Sequence, residues 1–109
     1  MKLNEVLELV QGENITVDSD VDITSAIACD MLSVVMANGK AKGAFVTIQS
    51  SMNTIAVASL LDMGCIILAR NTNMENKVIE KAKEEGIPVI KSPLTTFEIC
   101  GILYGSGLK

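Results

Sequence analysis

The second half of the chain contains three consecutive strand-turn-helix units. Their apolar strands are Ala44–Ile48, Cys65–Leu68 and Ile87–Ile90, and a helix-forming stretch follows each strand. Strands spaced about twenty residues apart with a helix between them are typical of βαβ crossovers, which build a parallel sheet. Because the strands are almost continuously apolar, we expect helices to cover both faces of that sheet.

The first half of the chain predicts shorter elements. Leu3, Val6, Leu7 and Val10 have the spacing of an amphipathic helix. Two short strands are predicted next, at 14–17 and 23–29, and then a helix over 30–38 with Asp30 as its cap. The sequence therefore predicts one layered α/β domain over residues 1–109, with a mainly parallel sheet built from the three C-terminal βα units.

The turns that follow the three strands are polar, and they span residues 49–53, 70–73 and 91–95. In a parallel sheet these turns meet at one edge, where helix N-termini offer free N–H groups to a ligand. Six residues are therefore predicted to bind a small anion: Gln49, Ser50, Ser51, Asn53, Arg70 and Asn71.

Structural explanations compete with this site. Ser51 or Asn53 is also a suitable cap for the helix that we expect to run from 53 to 63, and Arg70 is also suited to be a solvated surface cation. In the third turn, Thr95 and Glu98 have the spacing of a capping box, which favours a structural role there.

Composition excludes several classes of function. The net charge of −4 and an aromatic content of 3% argue against binding to nucleic acid. The chain has no histidine and no Cys-x-x-Cys pair, so we predict no metal site, no cofactor and no catalytic role. No apolar run is long enough to cross a membrane, and the odd number of cysteines favours a reducing cytoplasm.

Hydrophobic residues make up 49% of the chain, which is high for a small domain. Some of this apolar surface is expected to contact a second copy or a partner protein, because monomers rarely expose large apolar patches. The sequence therefore predicts a homodimer. If the domain instead docks onto a partner kinase or enzyme, the apolar faces of 3–10 and 97–103 are the candidate contacts.

Several segments together resemble the DRTGG domain family. The most specific segment is Asp30–Asn38, and the stretches 46–49, 53–58, 81–89 and 97–104 also fit. In the motif that names the family, Asp22 and Thr24 match the Asp and Thr. Ile23 stands where an Arg is expected, and Ser25-Ala26 stand where paired glycines are expected.

The resemblance implies a fold similar to the N-terminal domain of bacterial HPr kinase/phosphorylase. Such domains also occur inside some phosphate acetyltransferases and beside CBS domains in some pyrophosphatases, where they are accessory. The resemblance thus implies a regulatory or ligand-sensing module that binds a nucleotide or phosphorylated metabolite. The alternative is an interaction module that acts on a partner kinase or enzyme and has no ligand of its own.

Overall fold

A computed structural model describes residues 1–109 as five helices and five strands that alternate along most of the chain. The helices are α1 (Leu3–Leu9), α2 (Leu32–Asn38), α3 (Met52–Leu60), α4 (Asn76–Glu84) and α5 (Thr96–Gly105). The strands are β1 (Glu13–Asn14), β2 (Ser25–Ala28), β3 (Gly43–Thr47), β4 (Cys65–Leu68) and β5 (Val89–Lys91).

All five strands form one sheet in the order β1-β5-β4-β3-β2. The strands β2, β3, β4 and β5 pair in parallel, whereas β1 pairs with β5 in the antiparallel direction. The predicted α/β class and the mainly parallel sheet are therefore confirmed. The parallel part also extends to β2, so four strands rather than three direct their C-terminal ends to the same edge.

Two apolar clusters lie on opposite faces of this sheet. On one face, α1 and α5 pack against the side chains of Ala44, Val46 and Ile67. On the other face, α2, α3 and α4 pack against Phe45, Ile66 and other alternate residues of the same strands. Because successive strand residues point to opposite faces, the near-continuous apolar strands supply both clusters, and the result is a three-layer α/β/α domain.

Several element boundaries differ from those predicted. The first strand is limited to Glu13–Asn14, because at Thr16 the side-chain hydroxyl, rather than backbone groups, makes the hydrogen bonds to the neighbouring chain segment. This hydroxyl donates to the Ile87 carbonyl at 2.7 Å and accepts from the Val89 N–H at 2.8 Å. The helix predicted over 30–38 begins at Leu32 after Met31, so Asp30 does not cap it.

The amphipathic face of α1 is not available to a partner. Leu3, Val6 and Val10 are fully buried beneath the sheet. The expectation that this face contacts another protein is therefore wrong, because the same apolar stripe is needed to cover one face of the domain. In α5 the inward side chains are also buried, but Phe97 and Tyr104 point outward and are 88% and 64% exposed.

Candidate functional site

The turns after the parallel strands meet at one edge of the sheet, which we call the C-terminal rim. It consists of residues 29–31, 48–53, 69–73 and 92–95, which follow β2, β3, β4 and β5. Adjacent strands are in register, with Val46 opposite Ile67 and Ile67 opposite Ile90, so their ends lie side by side. The predicted convergence of the three turns is confirmed.

The turn after β3 leaves a row of backbone donors open. The N–H groups of Ser50, Ser51, Met52 and Asn53 make no hydrogen bond within the chain. The first intrahelical bond of α3 is the one from the Thr54 N–H to the Ser51 carbonyl at 3.1 Å. Free N–H groups at a helix start, together with the positive end of the helix dipole, favour a bound anion.

The helix cap here differs from the one expected. Helix α3 begins at Met52 with Ser51 as its N-cap, so Asn53 lies inside the first turn rather than at the cap. The Ser51 side chain makes no capping bond to the backbone, and its hydroxyl lies 3.4 Å from the Thr54 hydroxyl. The cap is therefore unfilled, and Ser51 and Asn53 are both exposed at the rim.

Gln49 and Asp30 fix the position of this turn. The Asp30 carboxylate accepts from the Thr47 hydroxyl at 2.8 Å and from the Ile48 N–H at 2.9 Å. In return, the Gln49 side-chain amide donates to the Asp30 carbonyl at 3.0 Å. Asp30 is the rim residue whose role the sequence analysis missed. Its role could have been predicted from its position directly after β2, if β2 had been recognised as a strand parallel to β3.

The turn after β4 has an unusual backbone. Arg70 and Asn71 have φ angles of 57° and 52°, so two consecutive non-glycine residues are in the left-handed region. The Arg70 N–H donates to the Leu94 carbonyl and the Asn71 N–H to the Ser92 carbonyl, both at 2.8 Å. These bonds hold both residues in a conformation that costs energy, and such strained residues often occur at functional sites.

Both side chains of this turn extend into solvent. Arg70 and Asn71 are exposed, and Arg70 makes no salt bridge. The guanidinium therefore remains available for a bidentate contact with a phosphate or carboxylate group.

The turn after β5 is structural. Thr95 is the N-cap of α5; its hydroxyl accepts from the Glu98 N–H at 3.1 Å, and the Glu98 carboxylate accepts from the Thr95 N–H at 3.0 Å. The capping box is thereby present. The Thr95 N–H, with a further contribution from its hydroxyl, lowers the pKa of Glu98 below its usual value. A carboxylate thus already occupies this helix start.

The segment that corresponds to the family motif lies away from the rim. Residues 22–26 lead into the N-terminal end of β2, which is the opposite end of the sheet. Ile23, which stands in place of the expected Arg, is fully buried, and a Cβ on Gly64 would come within 2.5 Å of its Cδ1 atom. Ile23 is therefore a core residue, and Gly64 gives it room.

Two of the three cysteines, Cys65 and Cys100, are poorly suited to chemistry. Burial raises the pKa of the Cys65 thiol to about 12 and also raises the pKa of Cys100. Cys29 and Cys100 are half-buried rather than fully buried as expected. No group of three or more Cys, Asp or Glu side chains is arranged to hold a metal ion, and none of the five helices has the length and apolarity that a membrane span requires.

The fold and the rim define a three-layer α/β domain with a polar rim of helix starts at one edge of its sheet. A family model described as "DRTGG domain" matches residues 5–105, and the chain belongs to this family. No curated protein sequence matches the chain.

A similar fold is found in a solved structure. It contains the CBS and DRTGG domains of the regulatory region of Clostridium perfringens pyrophosphatase, complexed with the activator diadenosine tetraphosphate. The TM-score is 0.74 at 14% sequence identity, and the match covers 94% of this chain and 45% of that one. The chain thus spans less than half of that structure, and at this identity the likeness establishes the fold.

Proposed function

We propose that this domain is a non-catalytic regulatory module that binds a small anionic ligand, a nucleotide or a phosphorylated metabolite, at the C-terminal rim. The observation that carries the proposal is the row of four open N–H groups at residues 50–53. The structure with a similar fold is a regulatory region in complex with a polyphosphate activator, and this supports the same class of ligand.

The roles of the six residues follow from their positions. Ser50, Ser51 and Asn53 hold the anion through backbone N–H groups and polar side chains. Gln49, which already donates to Asp30, keeps the turn in place and has a second side-chain N–H to offer. On the neighbouring turn, Arg70 and Asn71 contact a second phosphate group.

We propose further that the domain has no catalytic role and that the protein is cytoplasmic. The chain has no histidine to act as a general base, and Cys65, whose thiol pKa is raised by burial, lies at the N-terminal end of β4, away from the rim. Three free cysteines fit a reducing cytoplasm. The sequence also predicts a similarity to the N-terminal domain of HPr kinase/phosphorylase and a bacterial source.

Thermal denaturation with a ligand panel tests the proposal. The panel contains pyrophosphate, ADP, ATP and diadenosine tetraphosphate, with uncharged adenosine as the matched control. A ligand at a hundred times its Kd adds about 2.7 kcal/mol to the free energy of unfolding, so we expect at least one phosphate compound to raise Tm by several degrees. If adenosine raises Tm as much as the nucleotides do, or if no phosphate compound raises it at millimolar concentration, the proposal is wrong.

A second candidate function is docking of a partner kinase or enzyme on the helical layer. A shallow groove of about 400 Å³ lies between α2 and α3 and is lined mainly by apolar side chains, among them Met36, Val57 and Leu60. Leu60 is 72% exposed and Met36 is 41% exposed. If this groove binds the partner, Leu60→Lys abolishes capture of that enzyme and leaves the melting temperature and the nucleotide response unchanged.

A further inference from the structure

The strand β2 forms an unprotected edge of the sheet. It pairs with β3 on one side and has no strand partner on the other. Its four residues, Ser25–Ala28, include no charged residue, no proline and no glycine. Native proteins usually protect such edges with charges, prolines or bulges, because an open row of backbone groups pairs readily with another chain. The opposite edge strand, β1, is only two residues long and begins with Glu13.

Apolar surface surrounds this edge. A cavity of about 220 Å³ lies between β2 and α5, and eight of its nine lining residues are hydrophobic. Tyr104 of α5 lines this cavity and is 64% exposed. Met31, which comes three residues after the end of β2, is 62% exposed, and Phe97 on the outward side of α5 is 88% exposed.

The two ends of β2 carry opposite charges. A second cavity beside the N-terminal end of the strand is lined by Ser25, Lys40 and Lys109 among others. Asp30 follows the C-terminal end and is exposed, although one of its carboxylate oxygens is bonded to Thr47 and Ile48. A second β2 strand lying antiparallel to the first would bring Lys40 of each copy next to Asp30 of the other.

We propose that a second copy of this chain docks on the β2 edge, with the two β2 strands antiparallel about a twofold axis. The two sheets then form one continuous sheet, and the exposed side chains of α5 and residue 31 are covered on both copies. The self-complementary charges at the strand ends select a second copy over an unrelated protein.

The available area is of the size that a dimer needs. Stable interfaces bury about 800 Å² on each partner, and a covered aromatic side chain supplies about 150–250 Å². Phe97 and Tyr104 together with Met31 and the β2 backbone therefore supply most of the required surface.

This dimer goes beyond the proposed ligand site and does not require a ligand. It nevertheless touches that site through Asp30, which holds the turn after β3 by its bonds to Thr47 and Ile48. The two proposals fail separately, because the dimer is measured in the absence of any nucleotide.

Sizing with light scattering, on the protein without nucleotide at 10–100 µM (a range that covers micromolar Kd values), tests the inference. The mass of one chain is 11.6 kDa, and we expect twice that mass for the wild type. Tyr104→Lys and Lys40→Glu, both at exposed positions, each weaken the dimer at least tenfold. Leu60→Lys, an equally exposed apolar position on the other face of the sheet, is the matched control and leaves the dimer intact.

A charge-reversal pair adds specificity to the test. Asp30→Lys combined with Lys40→Glu restores a dimer that Lys40→Glu alone has lost, because the same two charges still face each other. A wild type that stays monomeric at 100 µM overturns the inference. A dimer whose affinity is changed by neither Tyr104→Lys nor Lys40→Glu also overturns it. Because both of these residues are exposed, the two variants test the dimer even if the Asp30 variant does not fold.

Discussion

The starts of α3 and α5 lie at the same rim but differ in whether their backbone N–H groups are capped by side chains. At α5 the Thr95 hydroxyl and the Glu98 carboxylate occupy two donors of the helix start, the N–H groups of Glu98 and Thr95. At α3 the Ser51 side chain makes no capping bond, and four successive N–H groups stay open. Position at the C-terminal edge of a parallel sheet is therefore not sufficient for a binding site, because a helix start attracts a ligand only where the chain leaves its donors free.

The largest expected effect comes from giving α3 its own anion. Ser51→Asp places a carboxylate over the open N–H groups, so it should weaken binding of ADP or pyrophosphate at least tenfold. The same change should raise the free energy of unfolding by about 0.5–1 kcal/mol, because Asp is a good N-cap at the positive end of the dipole. Calorimetric titration and urea denaturation measure the two effects. Thr95→Asp is the matched control at α5, and an equal loss of affinity there would remove the distinction between the two helix starts.

Removal of the N-cap hydroxyls of α3 and α5 tests the difference between the two helix starts by stability. Thr95→Ala breaks the capping box and should lower the free energy of unfolding by about 1 kcal/mol. Ser51→Ala removes a hydroxyl that makes no capping bond, so it should cost only a few tenths of a kcal/mol. Urea denaturation of both variants checks this difference, and equal costs at both positions would contradict it.

A substitution in the strained turn after β4 is expected to raise the free energy of unfolding, whereas removal of the Thr95 cap lowers it. Arg70→Gly replaces a residue at φ 57° by one that adopts this angle without strain, so we expect the free energy of unfolding to rise by about 0.5–1 kcal/mol. The loss of the guanidinium should weaken nucleotide binding several-fold in the same variant. A variant that is less stable and binds as tightly as the wild type would mean that Arg70 is only structural. Arg70→Lys, which keeps the strain and a positive charge, is the control.

The smallest effect is the pH dependence of the α5 cap. Because the folded state lowers the pKa of Glu98, this carboxylate stabilises the fold above its unfolded pKa, and the contribution is lost as the pH falls through the folded pKa. The difference in stability between wild type and Glu98→Gln should therefore shrink as the pH falls from 6 to 3, a range that brackets the ordinary glutamate pKa of about 4.3. A difference that stays constant across this range would contradict the role of Glu98 in the cap.

The sequence predicted those features that depend on local spacing. The capping box of Thr95 and Glu98 needs residues only three positions apart, and the order of strands and helices follows from apolar periodicity. The sequence could not choose between Ser51 and Asn53 as the cap of α3, because both residue types favour caps and the decision depends on where the β3 turn ends.

Features that depend on distant contacts were missed. Asp30 was predicted to cap α2, but it bonds to Thr47 at the end of the neighbouring strand and to Ile48 in the turn that follows. The left-handed pair Arg70 and Asn71 is held by carbonyl groups of the turn after β5, more than twenty residues away. Neither interaction leaves a periodic signal, so both require the arrangement of the sheet to be known.

A titration followed by ¹⁵N–¹H correlation spectroscopy tests the central claim most directly, because each backbone N–H of the rim gives its own signal. With increasing ADP we predict saturating shifts for the amides of Ser50, Ser51, Met52 and Asn53, whereas the capped amides of Thr95 and Glu98 stay in place. Amides at 50–53 that do not move at millimolar ADP, pyrophosphate or diadenosine tetraphosphate, or shifts confined to other parts of the molecule, would contradict an anion site at the start of α3.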